Sequence, residues 1–389
     1  MRKTVILLLL IIIPGILLSC DTSEKDSSFR NMDSKSFFEY VTLPERLSID
    51  INLDEIRNID EAKTFKADYI NFNKQELIKA FVKNSITEEK ILAEGPQIIA
   101  SDGKINEILS IYDGGKSFGT ENSMKGGFTY IRVNDGIYWE KLDTIANISF
   151  TDPSFIEQKY GYNLNNDYAS YSDLDFLPFE KAIVNIKKIF DIAGIPPFDI
   201  YETHSLDLET ILSHYKLYLH SESVEDDKKN INWTKDDECY IFSLRQLIDN
   251  IPVVNKGWQM PDGAKGSVWG NPMPSTEINL VYDKTGISRI AAYNILSVTD
   301  EIENNSLINV YEALNILIED YSRMILEEDT RIISAELCYL SIPKDNMVEL
   351  VPGWIFGSVK ATELNGSMYN RYKYDAINAV TGQLYPDRW

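Results

Sequence analysis

The sequence contains little cysteine, and this shortage excludes a disulfide-scaffolded domain. Cys20, Cys239 and Cys338 are its three cysteines in 389 residues, and none belongs to a CxxC pair. Cys239 and Cys338 each lie in an apolar, strand-like segment, which predicts a buried free thiol. A disulfide between these two is the alternative, because a compartment outside the cell membrane permits one.

Histidine is equally scarce, and the spacing of the three residues does not favour a metal site. His204, His214 and His220 are separated by ten and six residues. No single strand or helix brings all three together at these intervals, so a zinc site is not predicted. The sequence therefore predicts neither a metal nor a cofactor.

Positive charge is also in short supply. The chain has 38 Lys and Arg against 60 Asp and Glu, a formal net charge of −22. Such a surface repels nucleic acid, anionic lipid and anionic wall polymers, so no nucleic-acid partner is expected. The acidity serves solubility or favours a basic partner. A nucleotide is not expected either, because Gly115-Lys116-Ser117 has Ser110 where a phosphate-binding loop needs glycine.

Long apolar runs are absent except at the start of the chain. After Arg2 and Lys3, residues 5–18 form one apolar run of 14 residues, which is shorter than the ~20 residues that a membrane-spanning helix needs. A basic head, a short apolar middle and a small-residue end are typical of an export signal. The last two residues of the run are the first two of the sequence Leu17-Leu-Ser-Cys20.

This Leu-x-Ser-Cys sequence resembles the lipobox of bacterial lipoproteins. The resemblance implies that a diacylglyceryl group is attached to the Cys20 sulfur and that the signal is cut just before it. The mature protein would then be held by its lipid on the outer face of the cell membrane. An ordinary secretory signal and an uncleaved anchor are the alternatives.

Composition divides the chain into six parts. Residues 21–28 contain no apolar side chain and predict a flexible tether, and the first expected core residues are Phe37, Phe38 and Tyr40. A stretch rich in Asn, Asp, Ser and Tyr predicts a later linker. The resulting division is a signal peptide (1–19), lipidated cysteine and tether (20–36), N-terminal α+β domain (37–150), linker (151–175), and two modules (176–300 and 301–389).

Hydrophobic periodicity predicts an α+β fold in which tandem modules each pack a helix on an antiparallel sheet. Asn73 to Glu76 resembles a capping box that opens one helix. Pro178 and Gly194 bound a second helix, and Ser306 is the expected N-cap of a third. Strands are predicted at residues 47–53, 105–112, 128–133, 198–201, 214–219, 239–244, 278–282, 287–295, 331–342, 348–359 and 372–385.

The last two modules repeat one order of elements: a helix, two strands, and a strand entered through a Thr-Gly turn. Thr285-Gly286 in the first copy corresponds to Thr381-Gly382 in the second. The second copy has three more specific features. They are Glu312-Ala-Leu314 in a helix, the strand at residues 350–356, and the sequence Asp375-Ala-Ile-Asn-Ala-Val-Thr-Gly382 at the end of the chain. This pattern resembles PepSY-type modules and the related YycH/YycI-like extracytoplasmic proteins of Gram-positive bacteria.

The resemblance covers residues 176–389 and implies a helix on an antiparallel sheet. It implies a role by contact, either restraining a membrane sensor kinase, as in the YycH/YycI group, or inhibiting peptidases and regulating neighbours, as for PepSY modules. This chain departs from the YycH/YycI group because it carries the lipobox in place of a transmembrane helix. The whole chain also resembles clostridial lipoproteins to which no activity is assigned.

Few residues offer catalytic chemistry. Gly115-Lys-Ser117-Phe-Gly119 matches the G-x-S-x-G nucleophile elbow, which makes Ser117 the candidate nucleophile of a serine hydrolase. A strand is predicted after this motif where the elbow requires a helix, so a glycine turn is the favoured interpretation. Residues 163–167 begin like a calcium loop, but Tyr168 and Leu174 stand where glycine and the bidentate glutamate belong. Acidic clusters at residues 226–227 and 236–238, flanking Trp233, predict solvated loops.

A loop rich in glycine and proline, at residues 255–275, contains Trp258 and Trp269. Aromatic side chains on such a loop are typical of a binding surface, although they can also fold back onto the core. The sequence therefore predicts a non-enzymatic, lipid-anchored protein that binds a protein or peptide partner. A glycan- or small-ligand-binding lipoprotein that uses this loop is the alternative, and a hydrolase using Ser117 is the third hypothesis.

Overall fold

A computed structural model gives the fold. The residues it describes are 29, 32–113, 126–134, 141, 172–219, 230–254, 258–259, 272–273, 276–344, 347–364 and 367–385. Five α-helices lie in these ranges: α1 (Ser34–Tyr40), α2 (Lys74–Phe81), α3 (Phe179–Ala193), α4 (Leu208–Leu219) and α5 (Val310–Tyr321).

The same ranges hold eighteen strands, several of them only two or three residues long. They are β1 (Leu47–Ile49), β2 (Glu61–Tyr69), β3 (Ile86–Leu92), β4 (Gly95–Ser101), β5 (Ile105–Tyr112), β6 (Gly127–Asn134), β7 (Phe198–Leu206), β8 (Cys239–Ile248), β9 (Ile251–Pro252), β10 (Trp258–Gln259), β11 (Pro272–Met273), β12 (Glu277–Asp283), β13 (Gly286–Tyr293), β14 (Leu296–Ser306), β15 (Thr330–Lys344), β16 (Met347–Leu364), β17 (Ser367–Asn378) and β18 (Leu384–Tyr385).

Seven strands form the first sheet, called sheet I. Its main path is β1-β15-β16-β17-β18, and β2 joins β16 to β14. All its pairings are antiparallel except that between β1 and β15. Helices α1 and α5 contribute to the core on one face, where Phe37, Leu314 and Trp354 are fully buried. Trp354 donates its indole N–H to the carbonyl of Ile308, 2.9 Å away, which ties β16 to the start of α5.

Nine strands form the second sheet, called sheet II. It is antiparallel throughout, in the order β3-β4-β5-β6-β13-β12-β8-β7, with β9 folded back onto β8. Tyr240 and Phe242 of β8 belong to the core that contains α2 and α3, whereas Cys239 and Ile241 belong to the core that contains α4. Because successive strand residues point to opposite faces, helices cover both faces of this sheet.

The predicted fold class is confirmed: the protein is mixed α+β, with helices packed on two antiparallel-rich sheets. The repeated order of elements also has a counterpart in the topology. After α3 the chain builds the meander β7-β8-β12-β13 of sheet II, and after α5 it builds β15-β16-β17-β18 of sheet I. Gly286 opens β13, and Gly382 lies in the turn between β17 and β18.

Residues 37–150 are shared between the two sheets. β1 and β2 pair within sheet I, whereas β3 to β6 extend sheet II through the pairing of β6 with β13. The boundaries predicted from composition therefore do not coincide with the sheets. Residues 142–171, which include most of the predicted linker, lie outside the described part of the chain.

The chain crosses between the sheets twice at one place. Just after β2, the Ile70 N–H donates to the carbonyl of Ile295, and the Ile295 N–H donates to the carbonyl of Gly126, both at 2.9 Å. The buried side-chain amide of Gln246 bonds to both the N–H and the carbonyl of Leu296, the first residue of β14. These bonds satisfy backbone groups that the change of sheet leaves without strand partners.

Three helix boundaries follow the sequence signals. Helix α3 begins immediately after Pro178 and ends at Gly194, whose φ of +70° is left-handed. In this conformation the Ile195 N–H bonds to the carbonyl of Phe190, 3.0 Å away, which ends the helix. Asn73 caps α2 by accepting bonds from the N–H groups of residues 75 and 76.

Three predictions of local structure are wrong. The strand expected at residues 214–219 is the second half of α4, because Asp207 caps a helix upstream by accepting from the Thr210 N–H. The helix expected after Ser306 begins at Val310, where Asn309 and Glu312 form the capping box, and β14 extends to Ser306. Helix α1 occupies the end of the predicted tether.

The first core residues are also fewer than predicted. Phe37 is fully buried against Tyr311, with ring centroids 5.3 Å apart. Phe38 and Tyr40 are 39% and 58% exposed. A seven-residue helix has only one face to bury, so alternate positions of α1 cannot all enter the core.

Candidate functional site

An acidic groove lies beside sheet II in the described part of the chain. Its volume is about 690 Å³, and it lies between α4, the segment before α3, and the segment before β8. The lining residues are Asp173, Leu174, Asp175, Asp207, Leu208, Glu209, Leu212, Ser213, Lys216, Lys235 and Glu238. Five carboxylates and two ammonium groups therefore face one cavity, and its charge is negative.

Backbone hydrogen bonds hold three of these carboxylates in place. Asp173 accepts from the Phe179 N–H at 2.9 Å, at the start of α3. Asp207 accepts from the Thr210 N–H at 2.8 Å, at the start of α4, and the nearby Glu238 accepts from the Leu208 N–H at 3.2 Å. Each bond engages one carboxylate oxygen, so the groups are oriented while retaining capacity to accept from a ligand.

A buried tyrosine supports the floor of the groove. The hydroxyl of Tyr240 accepts from the Leu174 N–H and donates to the carbonyl of Leu177, both at 2.7 Å. Burial raises the pKa of Tyr240, so this hydroxyl keeps its proton at physiological pH. The segment that carries Asp173 and Asp175 is thereby fastened to the start of β8.

One lysine of the groove is already paired, and the pairing is exposed. Lys235 Nζ lies 2.9 Å from Asp175 Oδ2, with both side chains largely open to solvent. The hydrogen bond to Asp175, followed by its charge, raises the pKa of Lys235. An exposed pair of this kind contributes little stability and can exchange for a ligand cation.

The wall behind the groove rests on a second charged pair and two aromatic rings. Lys141 Nζ lies 2.8 Å from both oxygens of Asp237 and 5.6 Å from the centre of the Trp233 ring. Trp233 meets Tyr215 of α4 edge to face, at 5.6 Å. These contacts fix residues 233–238 against α4, which makes the groove a preformed feature.

Two residues of the acidic cluster at 236–238 are not in the solvated loop that the sequence predicts. Asp237 is paired with Lys141, and Glu238 is 6% exposed while its carboxylate bonds to α4. Sequence reasoning missed Asp173 and Asp207 as site residues. Their one local signal is that each carboxylate precedes a helix, which is typical of a cap and not specific to binding.

Several predicted site residues lie outside the described part of the chain. Cys20, Ser117, Trp269 and the calcium-like residues 163–167 are among them. Trp258 lies in β10, which pairs with β11 so that Trp258 is opposite Met273. β11 lies against β15, so the ends of the tryptophan loop meet sheet I and lie apart from the groove lining.

The two described cysteines are free thiols in separate cores. Cys239 packs beside α4 on sheet II, and Cys338 packs on sheet I, on the face opposite α5. Burial raises the pKa of both thiols, so neither is a ready nucleophile. The prediction of two buried free thiols is confirmed.

His204 is 3% exposed, and its Nε2 lies 2.9 Å from Glu202. His214 lies on α4. Within the described ranges no three His, Cys, Asp or Glu side chains converge closely enough to bind a metal ion. None of the helices in those ranges combines the length and apolar character needed to cross a bilayer.

Comparison with known proteins gives a structural likeness without a family. No protein-family model and no curated protein matches the chain. The chain is similar to an uncharacterized protein from Eubacterium rectale ATCC 33656, whose crystal structure was determined at 1.45 Å resolution, with a TM-score of 0.56 and 17% sequence identity. The likeness covers 89% of this chain and 92% of the other, and at this identity it bears on the fold alone.

Proposed function

We propose that this protein is a non-enzymatic lipoprotein, held on the outer face of the cell membrane by a diacylglyceryl group on Cys20, that binds a basic segment of a protein or peptide partner. The acidic groove is the observation that carries the proposal. Its carboxylates are oriented by backbone bonds, so they bind a cation without first being ordered. Charge complementarity of this kind favours specificity and rapid association.

The groove combines acidic and aliphatic surface in a way that suits lysine and arginine side chains. Leu208 and Leu212 line it beside the carboxylates, and Leu212 is 41% exposed. The aliphatic stems of basic residues pack on such leucines while their charged ends reach carboxylates. A volume of about 690 Å³ accommodates a few side chains of an extended peptide.

The anchor is proposed from the residues around Cys20. The first described residue, Phe29, follows Cys20 by nine positions, so an extended tether spans at most about 30 Å. A lipid on Cys20 therefore keeps the folded body close to the membrane surface. Partners within reach are extracytoplasmic segments of membrane proteins and peptides near the surface.

The resemblance to PepSY and YycH/YycI-like proteins supports regulation by contact as the role of this binding. Residues 312–314, which carry part of the resemblance, lie in α5, and residues 350–356 lie in β16, beneath that helix. We propose a membrane sensor or a peptidase as the class of partner that is regulated. This role needs no catalytic group.

A titration with a defined cationic probe tests the groove. The probe is a fluorescein-labelled ten-residue peptide of alternating lysine and glycine, and a glutamate-glycine peptide is its control. Binding by the full chain is measured by anisotropy. We expect Glu209→Lys, in the exposed first turn of α4, to weaken binding of the lysine peptide about tenfold at low salt.

Glu303→Lys, on exposed β14 of sheet I, is the matched control and is expected to leave binding unchanged. Equal weakening by both substitutions would show that the peptide binds through the general negative charge of the surface and not through the groove. Absence of any preference for the lysine peptide would contradict the proposed site.

A ligand-binding role for the tryptophan loop is the second candidate function. The pairing of Trp258 with Met273 closes the loop, and the contact of β11 with β15 fixes its base on sheet I. Loops held in this way commonly carry ligand sites. Binding of glycans on an array, lost on Trp258→Ala and Trp269→Ala but retained in Glu209→Lys, would support this candidate over the groove.

A further inference from the structure

β3 is an edge strand that lies open on both of its faces. It pairs with β4 on one side and ends the strand order of sheet II on the other. All seven of its residues are exposed, and Ile91 is 83% exposed. The outer side of such a strand carries backbone N–H and C=O groups that are available to a further strand.

The charges along β3 distinguish it from the open edge of sheet I. β14 carries Asp300, Glu301 and Glu303 with no lysine or arginine, so two copies of β14 repel each other. β3 reads Ile-Thr-Glu-Glu-Lys-Ile-Leu and carries both signs. Its charge is therefore capable of complementing a second copy of itself.

Symmetry restricts the register of such a pairing. Two copies of one strand that extend a sheet antiparallel are related by a two-fold axis normal to the sheet. Residues opposite each other must then point to the same face. This condition places the axis midway between one residue and its own copy in the second strand. Three residues near the middle of β3 could lie on the axis. An axis at Glu88 places Glu88 opposite its own copy, and an axis at Lys90 places Lys90 opposite its own copy, and neither register brings opposite charges together.

An axis at Glu89 is the register that brings opposite charges together. Glu88 then lies opposite Lys90 of the second copy, and Lys90 lies opposite its Glu88. The single like-charged pair, Glu89 with its copy, is offset because Lys74 Nζ lies 2.9 Å from Glu89 Oε2 in each molecule.

We propose that this protein forms a homodimer through β3, with an antiparallel β3–β3 ladder centred on Glu89 that makes one continuous sheet from two copies of sheet II. The register shift between Ile86 and Glu88 interrupts β3 at residue 87, so the regular part of the two-fold ladder spans residues 88–90. Cross-strand ion pairs select the register, and backbone hydrogen bonds stabilise it. The proposal is independent of the groove and of the lipid anchor.

A charge-swap cycle tests the register. In the full chain, Glu88→Lys and Lys90→Glu each place like charges opposite one another twice, whereas the double substitution restores complementarity. We expect each single substitution to raise the dimer dissociation constant about tenfold and the double to return it to within about threefold of the parent. The measurement is sedimentation equilibrium. Both substituted side chains, Glu88 and Lys90, are exposed in the monomer, and circular dichroism checks that each variant folds.

Cysteine cross-linking locates the axis independently. Glu89→Cys places two thiols opposite each other at a Cα separation that a disulfide accepts, so oxidation should yield a covalent dimer on a non-reducing gel. Glu303→Cys on β14 is the matched exposed control, and the unsubstituted chain gives the background. A monomer in every variant, a dimer indifferent to the charge cycle, or equal cross-linking at Glu303 would overturn the proposal.

Discussion

Arg245 of β8 and Glu336 of β15 join the two sheets through a two-armed ion pair. Arg245 Nη1 lies 2.7 Å from Glu336 Oε2, and Nη2 contacts Oε1. Nη2 also lies 2.9 Å from Asp199 of β7, and the guanidinium lies over the Tyr201 ring at 5.2 Å. A planar cation with several donors is therefore shared by three strands from both sheets.

Replacing this arginine should loosen the junction between the sheets. The Arg245 side chain is 6% exposed, whereas Glu336 and Asp199 are 42% and 44% exposed and can be hydrated when it is lost. We expect Arg245→Met to lower the free energy of unfolding by about 2–3 kcal/mol. Arg331→Met, at an exposed pair with Asp50, should change it by less than about 0.5 kcal/mol. Urea unfolding curves measure both, and equal effects would contradict a special role for Arg245.

Gly126 should tolerate no side chain at the crossing between the sheets. Its φ is +56°, and an added Cβ would lie 2.5 Å from the carbonyl oxygen of Ile295. Gly103 also has a positive φ, of +86°, but nothing lies within 4 Å of an added Cβ. We expect Gly103→Ala to cost about 1 kcal/mol for the backbone alone and Gly126→Ala to cost at least about 2 kcal/mol more. Thermal unfolding of both variants checks the difference.

Acid should release α1 before it unfolds the sheets. Hydrogen bonds from the Tyr311 hydroxyl, at 2.6 Å, and the Ser34 N–H, at 3.0 Å, lower the pKa of Asp54. A carboxyl whose pKa is lowered by folding stabilises the folded state above its unfolded pKa, about 4, and loses that contribution as the pH falls through the folded pKa. The protection factors of the amides in residues 34–40, which compare the observed exchange rate with the intrinsic rate at the same pH, should therefore fall below about pH 4.

The variant Asp54→Asn removes this titrating group and serves as the control for the acid response. Its protection factors in residues 34–40 should be lower at neutral pH and should vary less between pH 5 and 3. An unchanged pH profile in this variant would show that another group controls the docking of α1.

Thiol titration tests burial and lipidation together. Because burial raises the pKa of Cys239 and Cys338, neither should react with an aromatic disulfide reagent while the protein is folded. After unfolding, the chain isolated from its native membrane should show two reactive thiols if Cys20 carries a lipid and three if it does not. Mass spectrometry of the N-terminal peptide identifies the group on Cys20. A third thiol with an unmodified Cys20 would contradict the anchor.

The sequence alone was sufficient to predict those elements whose signals are local. The start of α3 after Pro178 and its end at Gly194 follow from the missing N–H of proline and the freedom of glycine at positive φ. The strand predicted at residues 105–112 follows from the apolar residues within that segment, and it coincides with β5. The α+β class follows from such elements taken together.

Tertiary structure decided which strands became neighbours and where the candidate site formed. The pairing of β6 with β13, more than 150 residues apart, depends on backbone bonds whose partners no local pattern specifies. Asp173, Asp207 and Glu238 are separated by about thirty residues each, and they share a groove because α4 and β8 bring their segments together. Residue type and spacing determine local conformation, whereas the meeting of distant side chains depends on the way helices and sheets bury their apolar faces.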